Sequence, residues 1–203
     1  MSEVNEVVSA WRRIAGWLRE HAPVSAEALQ PGASDEEIAT LKRRLRCEIP
    51  QALEAWLRVN NGSTAKDVRE SLPGGGIALR PHRDSVIFPD GMRFLGCQEI
   101  ADQYADYLHI AGDIQDDDYW KPWWIPVAAK SDGPYGIILD AQTSYDPSPL
   151  LKFREGDYPS SYLPSLTDFL RPFADLLERG EAPGTSMEYK RFFVADGRIA
   201  WSS

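Results

Sequence analysis

The chain is short of three residue classes, and each shortage removes a class of function. Two cysteines occur in 203 residues, Cys47 and Cys97, too few for a disulfide framework; buried thiols in a reducing compartment are the expectation. Three histidines occur, His21, His82 and His109. None has a second His or Cys at metal-ligand spacing, so no zinc site and no other cofactor is expected. Basic side chains are outnumbered, with 22 Lys and Arg against 31 Asp and Glu. The resulting formal charge of −9 argues against binding a phosphate backbone, which needs clustered cations that release counterions. No stretch approaches the ~20 apolar residues that span a bilayer, and Met1-Ser2-Glu3-Val4-Asn5 has neither the basic segment nor the apolar run of a secretory signal. A cytoplasmic protein with no nucleic-acid and no membrane partner is the expectation.

What the chain does have is enough apolar and aromatic material for one packed core. Seven Trp, eight Tyr and seven Phe would not stay solvated, so disorder is disfavoured and the whole chain should fold as one domain. Val7, Trp11, Ile14 and Leu18 recur at helical spacing until Pro23. Ser34 followed by Glu37 forms a capping box at the start of a second helix, whose stripe is Ile38, Leu41 and Leu45. Pro50 opens a third, carrying Leu53, Trp56 and Leu57 up to Asn60-Asn61-Gly62. Three helices therefore fill residues 4–62, and the period then changes. Short strands are expected at Ile77–Leu79, Val86–Phe88 and Arg93–Leu95, then a helix at Glu99–Ile110. Trp124–Ala129 and Tyr135–Leu139 read as a hairpin, Leu150–Phe153 as a further strand, and Ser165 opens a last helix in which Pro172 should make a kink or a break. Tyr189–Val194 and Arg198–Trp201 around Asp196-Gly197 read as a closing hairpin. Helices first and hairpins after give an α+β fold, with the sheet-containing part at about 72–203.

No catalytic motif stands out. Gly74-Gly75-Gly76 lacks the Lys-Ser/Thr of a phosphate loop and precedes a strand, not a helix. There is no Gly-x-Ser-x-Gly elbow. The most pointed local feature is acidic: Asp113, Asp116, Asp117 and Asp118, followed by Tyr119 and Trp120. Residues 111–151 carry −5 of the total charge. The order of these residues is not that of a calcium loop, which alternates its ligands and ends on Glu. Such a run reads either as a solvated loop whose charges keep the chain soluble or as a docking surface for a basic protein, the charges steering the encounter and the rings anchoring it. Trp11, Trp56 and Trp124 belong in the core. Trp120 and Trp123, flanked by Asp118, Lys121 and Pro122, are the tryptophans expected at the surface.

Several blocks, in order, resemble one family. Asp35-Glu36-Glu37-Ile38, Leu41, Leu45, Ile49-Pro50, Leu53, Trp56-Leu57 and Asn60-Asn61-Gly62 resemble the N-terminal signature of the SUKH superfamily, named for fungal Smi/Knr cell-wall regulators. Leu72-Pro73-Gly74-Gly75, Phe94-Leu95-Gly96 with Glu99-Ile100, Trp124-Ile125-Pro126-Val127-Ala128 and Gly136 to Asp140 look like its later blocks. Lys42-Arg43-Arg44 and the Asp113–Trp123 insertion depart from the pattern. The resemblance implies a mixed, largely antiparallel sheet flanked by helices and a non-enzymatic role. Bacterial members are mostly immunity proteins that neutralise a cognate toxin, often a nuclease or deaminase, encoded beside them. The expectation is thus an acidic binding protein for a basic toxin, itself a monomer or weak homodimer. Asp113, Asp116, Asp117, Asp118, Tyr119 and Trp120 form its docking face, with Asp132 and Asp146 as rim charges. A regulatory or scaffold module is the alternative within the family, and a small hydrolase using carboxylates with His82 or His109 the alternative outside it.

Overall fold

The structure is a computed structural model that describes residues 2–64, 68–80, 83–130, 135–142, 147–154 and 156–202. The helical stripes read from the sequence are the buried faces. In α1 (Glu3–His21), Val7, Trp11, Ile14 and Leu18 are all buried. Pro23 does end α1, but it also opens a short extra helix, α2 (Pro23–Glu27), because a proline at the first turn gives up a donor that has no partner there anyway. The first third therefore holds four helices where the periodicity indicated three. In α3 (Asp35–Arg44) the capping box forms as expected: the Glu37 N–H donates to Ser34 Oγ at 3.2 Å and the Ser34 N–H to Glu37 Oε2 at 2.8 Å. α4 (Gln51–Val59) buries Leu53, Trp56 and Leu57.

The Asn60-Asn61-Gly62 sequence that ends α4 joins three parts of the fold. The Asn61 side chain donates to Glu37 Oε1 at 2.8 Å and accepts from the Cys97 N–H at 2.8 Å. Gly62 has a φ of +88°, and a Cβ there would lie 2.3 Å from the backbone nitrogen of Gly96. Two backbones meet at that point, and only glycine permits the approach.

β1 (Val68–Ser71) and β2 (Ile77–Arg80) form a separate antiparallel pair around the Gly74-Gly75-Gly76 loop. The main sheet has the order β3 (Met92–Phe94), β4 (Trp124–Lys130), β5 (Gly136–Asp140), β6 (Leu150–Phe153), β7 (Ser160–Leu163), with every neighbour antiparallel. Val86–Phe88 is not a strand. Ile87 and Phe88 are buried, yet the segment sits between two 3₁₀ turns, and Phe88 makes only an isolated bridge to Met92. Pro126 lies in the interior of β4, where it cannot donate to a ladder; a register shift between Pro126 and Ala128 accommodates it.

Period-two alternation gives the sheet two apolar faces. Ile125, Val127, Ile137, Leu139 and Leu150 enter the main core with α1, α4 and α6 (Leu166–Arg179). At its centre Trp56 stacks on Phe94 with centroids 3.7 Å apart, and Trp11 lies 5.1 Å from Trp56. Ile138 and Phe153 point the other way, into a second cluster with Ala111 and Trp120. α5 (Cys97–Ile114) serves both: Ile100 and Tyr104 pack in the main core, Tyr107 and Ala111 in the second cluster. α6 does not break at Pro172. Buried residues on both sides of the proline, from Phe169 and Leu170 to Phe173 and Leu177, keep one face seated on the core, and the helix runs on to a left-handed Gly180 cap. The closing hairpin, β8 (Phe192–Ala195) with β9 (Arg198–Trp201), forms as expected and leans on α2 through the Val24 N–H, which donates to the Gly197 carbonyl. The fold is α+β.

Candidate functional site

The acidic segment begins inside α5, which runs four residues beyond its expected end, so Asp113 lies in the last helical turn. A carboxylate is unfavourable at that negative end of the helix dipole. His109, one turn earlier, stands 3.4 Å from Asp113 and offsets it when protonated. The helix closes on Gln115 in the left-handed region, φ +55°, with the Asp116 N–H donating to the Ala111 carbonyl at 3.0 Å.

From there a tight turn carries the carboxylates. Asp116 Oδ1 accepts the Asp118 N–H at 2.9 Å, the local bond that makes Asp a turn former. The Tyr119 N–H donates to the Asp116 carbonyl at 3.1 Å. Asp116 Oδ2 accepts the Tyr158 hydroxyl at 2.7 Å, from the loop between β6 and β7. These bonds, led by the tyrosine, hold the Asp116 carboxyl below the usual carboxylate range; the same bond pushes the Tyr158 hydroxyl above its ordinary value. Asp118 pairs with Lys121 at 2.5 Å while its side chain stays 80% exposed. Asp117 is exposed at the tip.

Trp120 is not a surface anchor. It is 2% exposed, stacked on Tyr107 at 4.3 Å and set edge-on to Phe153 at 5.5 Å and Trp124 at 6.0 Å. Its indole N–H donates to the Trp124 carbonyl at 3.2 Å. The sequence placed it outside because its neighbours are charged or proline, but the outer face of the sheet needs a cover, and Trp120 is that cover. Tyr119, half-buried, meets Phe153 edge-on at 6.0 Å. Trp123 and Trp124 are both half-buried, so the first is less exposed and the second less enclosed than expected. The far end of the turn is tied by the buried Tyr104, whose hydroxyl donates to the Pro122 carbonyl at 2.6 Å and accepts the Arg46 N–H at 3.0 Å.

The structure therefore brings together Asp116, Asp117, Asp118 and Tyr119 on one turn above Trp120, with Asp113 in the last turn of the helix that precedes it. Asp132 and Asp146 lie outside the described residues, as does His82. His109 sits on the open surface, 3.4 Å from Asp113 one helical turn away. Both thiols are pushed up to about 11, chiefly by burial, which leaves them protonated near neutral pH. Among the described residues no group of acidic, His or Cys side chains is arranged to hold a metal ion, and no helix is long and apolar enough to cross a membrane. Sequence reading gave Tyr158 no role and Tyr104 only a place on the helix's apolar stripe; their hydroxyls hold the turn from 42 and 18 residues away. Nothing local to either tyrosine signals it.

The model of the SMI1 / KNR4 family (SUKH-1) matches residues 32–171. The chain belongs to the SMI1 / KNR4 family. The matched span runs from just before the Ser34 capping box through the Asn61 junction and the main sheet into α6, and it includes the acidic turn. It leaves out α1 and α2, although α1 supplies Trp11 to the core. A KNR4/SMI1 homolog of Eremothecium gossypii is 27% identical over 112 residues, which is 55% of this chain and 15% of the fungal protein. The chain thus corresponds to a small part of that relative's length. SMI1 / KNR4 membership supports a non-catalytic domain.

Proposed function

We propose that this SMI1 / KNR4 chain is a binding protein that neutralises a cognate toxin, a basic protein, by docking it on the acidic turn after α5. The observation that carries this reading is a turn whose carboxylates are exposed while its frame is fixed. Asp113, Asp117 and Asp118 face solvent, while Trp120 and Tyr104 bond backbone carbonyls of the segment and Tyr158 bonds the Asp116 carboxylate. A loop fixed before binding loses less conformational entropy on docking than a mobile one, and its charges steer a cationic partner from a distance. Enzymes that act on nucleic acids must attract phosphates, so toxins of that kind are commonly basic and suit such a surface.

The test is co-expression with the product of the adjacent reading frame. Relief of growth arrest together with a stoichiometric complex supports the reading. Unrelieved arrest with no complex contradicts it and favours the regulatory module, whose partner lies elsewhere.

A further inference from the structure

Most cations with a defined neighbour in this acidic chain are held by carboxylates. Arg13 pairs with Asp175 and Glu178, Lys42 and Arg58 share Glu54, Arg44 pairs with Asp102, and Arg93 pairs with Glu99. Among the described residues, two lysines of one groove lie over aromatic rings instead. Where β4 and β6 end and β5 begins, Lys130, Lys152 and Arg154 line an open cavity of about 450 Å³ together with Asp90, Tyr135 and Phe153. Asp90, the carboxylate on its wall, is already engaged by Lys190 at 2.7 Å.

The two lysines are positioned by rings. Lys152 Nζ lies 4.2 Å above the Tyr162 ring and Lys130 Nζ 5.0 Å above that of Tyr135. An aromatic face orients an ammonium without cancelling its charge. Lys152 is half-buried; burial pushes its ammonium below the ordinary lysine value, Asp90 opposes this, and the like charges of Lys190 and Arg154 add to it. A concavity of small-molecule size lined by three cations, with the carboxylate on its wall already paired, in a chain of −9, has the elements of an anion site.

We propose that this groove binds a small phosphate-bearing anion, with Lys130, Lys152 and Arg154 contacting its oxygens. Three cations, Lys130 at the end of β4, Lys152 in β6 and Arg154 just after it, match the several acceptor oxygens of a dianionic phosphate better than the two of a carboxylate. The exposed Tyr135 ring offers a wall for the remainder of an ester. Inorganic phosphate and a phosphate ester share this chemistry.

The test is calorimetric titration of the chain with inorganic phosphate and, separately, with adenosine 5′-monophosphate at low ionic strength. Lys152→Met, which keeps the aliphatic stem over Tyr162, and Arg154→Gln, at an exposed position, each remove one cation. Lys121→Gln removes a cation outside the groove, and thermal unfolding verifies that each variant folds. The expected result is saturable one-site binding weakened about tenfold by either groove variant and unchanged by Lys121→Gln. Equal affinities identify the free anion as sufficient; tighter binding of the nucleotide identifies an ester. No saturable binding of either probe, or equal weakening by all three variants, overturns the proposal. If Lys152→Met does not fold, Arg154→Gln alone decides.

Discussion

The Tyr158 hydroxyl donates a 2.7 Å hydrogen bond to Asp116, closing a contact between residues 42 positions apart. It makes Asp116 a framing residue, distinct from the exposed Asp117 and Asp118 beside it. The division of labour within four acidic residues is the main refinement the structure brings to the site.

Removing that hydroxyl should be visible in the titration of its partner. In Tyr158→Phe the Asp116 carboxyl should titrate at a higher pH than in the parent, measured by side-chain carbonyl NMR. The native value is depressed, so whatever stability the bond contributes is present above the ordinary carboxylate range and is lost as pH falls through the depressed value. Tyr158→Phe should therefore blunt the loss of stability in that acid window and leave its course at neutral pH unaltered in shape. An unshifted Asp116 titration would mean that the hydroxyl does not set its ionisation.

Trp120→Ala should cost about 3–5 kcal/mol, the range for truncating a buried aromatic side chain, because it uncovers Phe153 and Ile138 on the outer face of the sheet and Tyr107 of α5. Chemical denaturation reads this. A loss below about 1 kcal/mol, as for most surface substitutions, would return Trp120 to the surface role its neighbours in sequence suggested.

Gly62→Ala combines a positive φ with a Cβ placed 2.3 Å from the Gly96 nitrogen. The expected loss is about 1–3 kcal/mol. Gly74, also at positive φ but with nothing near its Cβ position, is the comparison: alanine there should cost less by the same denaturation measurement.

The parts of the fold legible in the sequence are those decided locally. The α1 stripe, the Ser34–Glu37 box and the β4–β5 hairpin each follow from residues within a turn or two of one another. What escaped is decided across the chain. β7 reads Ser-Ser-Tyr-Leu, with no alternation to mark it, and is a strand because β6 offers it an edge. Val86–Phe88 has strand composition but no ladder partner beyond a single bridge. The acidic run was visible in composition, whereas its frame was not, since Tyr107 and Phe153 that enclose Trp120 come from α5 and β6. Lys130, Lys152 and Arg154 likewise meet only because their strands end together.

In the proposed function, exposed carboxylates at the end of α5 and on the turn after it steer a basic partner. The measurement is the association rate with the product of the adjacent reading frame, the proposed toxin, over a range of salt concentrations for the parent and for the triple variant Asp113→Asn, Asp117→Asn, Asp118→Asn, which leaves Asp116 and its tyrosine in place. The triple variant should associate about tenfold more slowly at low salt, with a flatter salt dependence and an almost unchanged melting temperature. Association kinetics identical to the parent's at every salt concentration would contradict it.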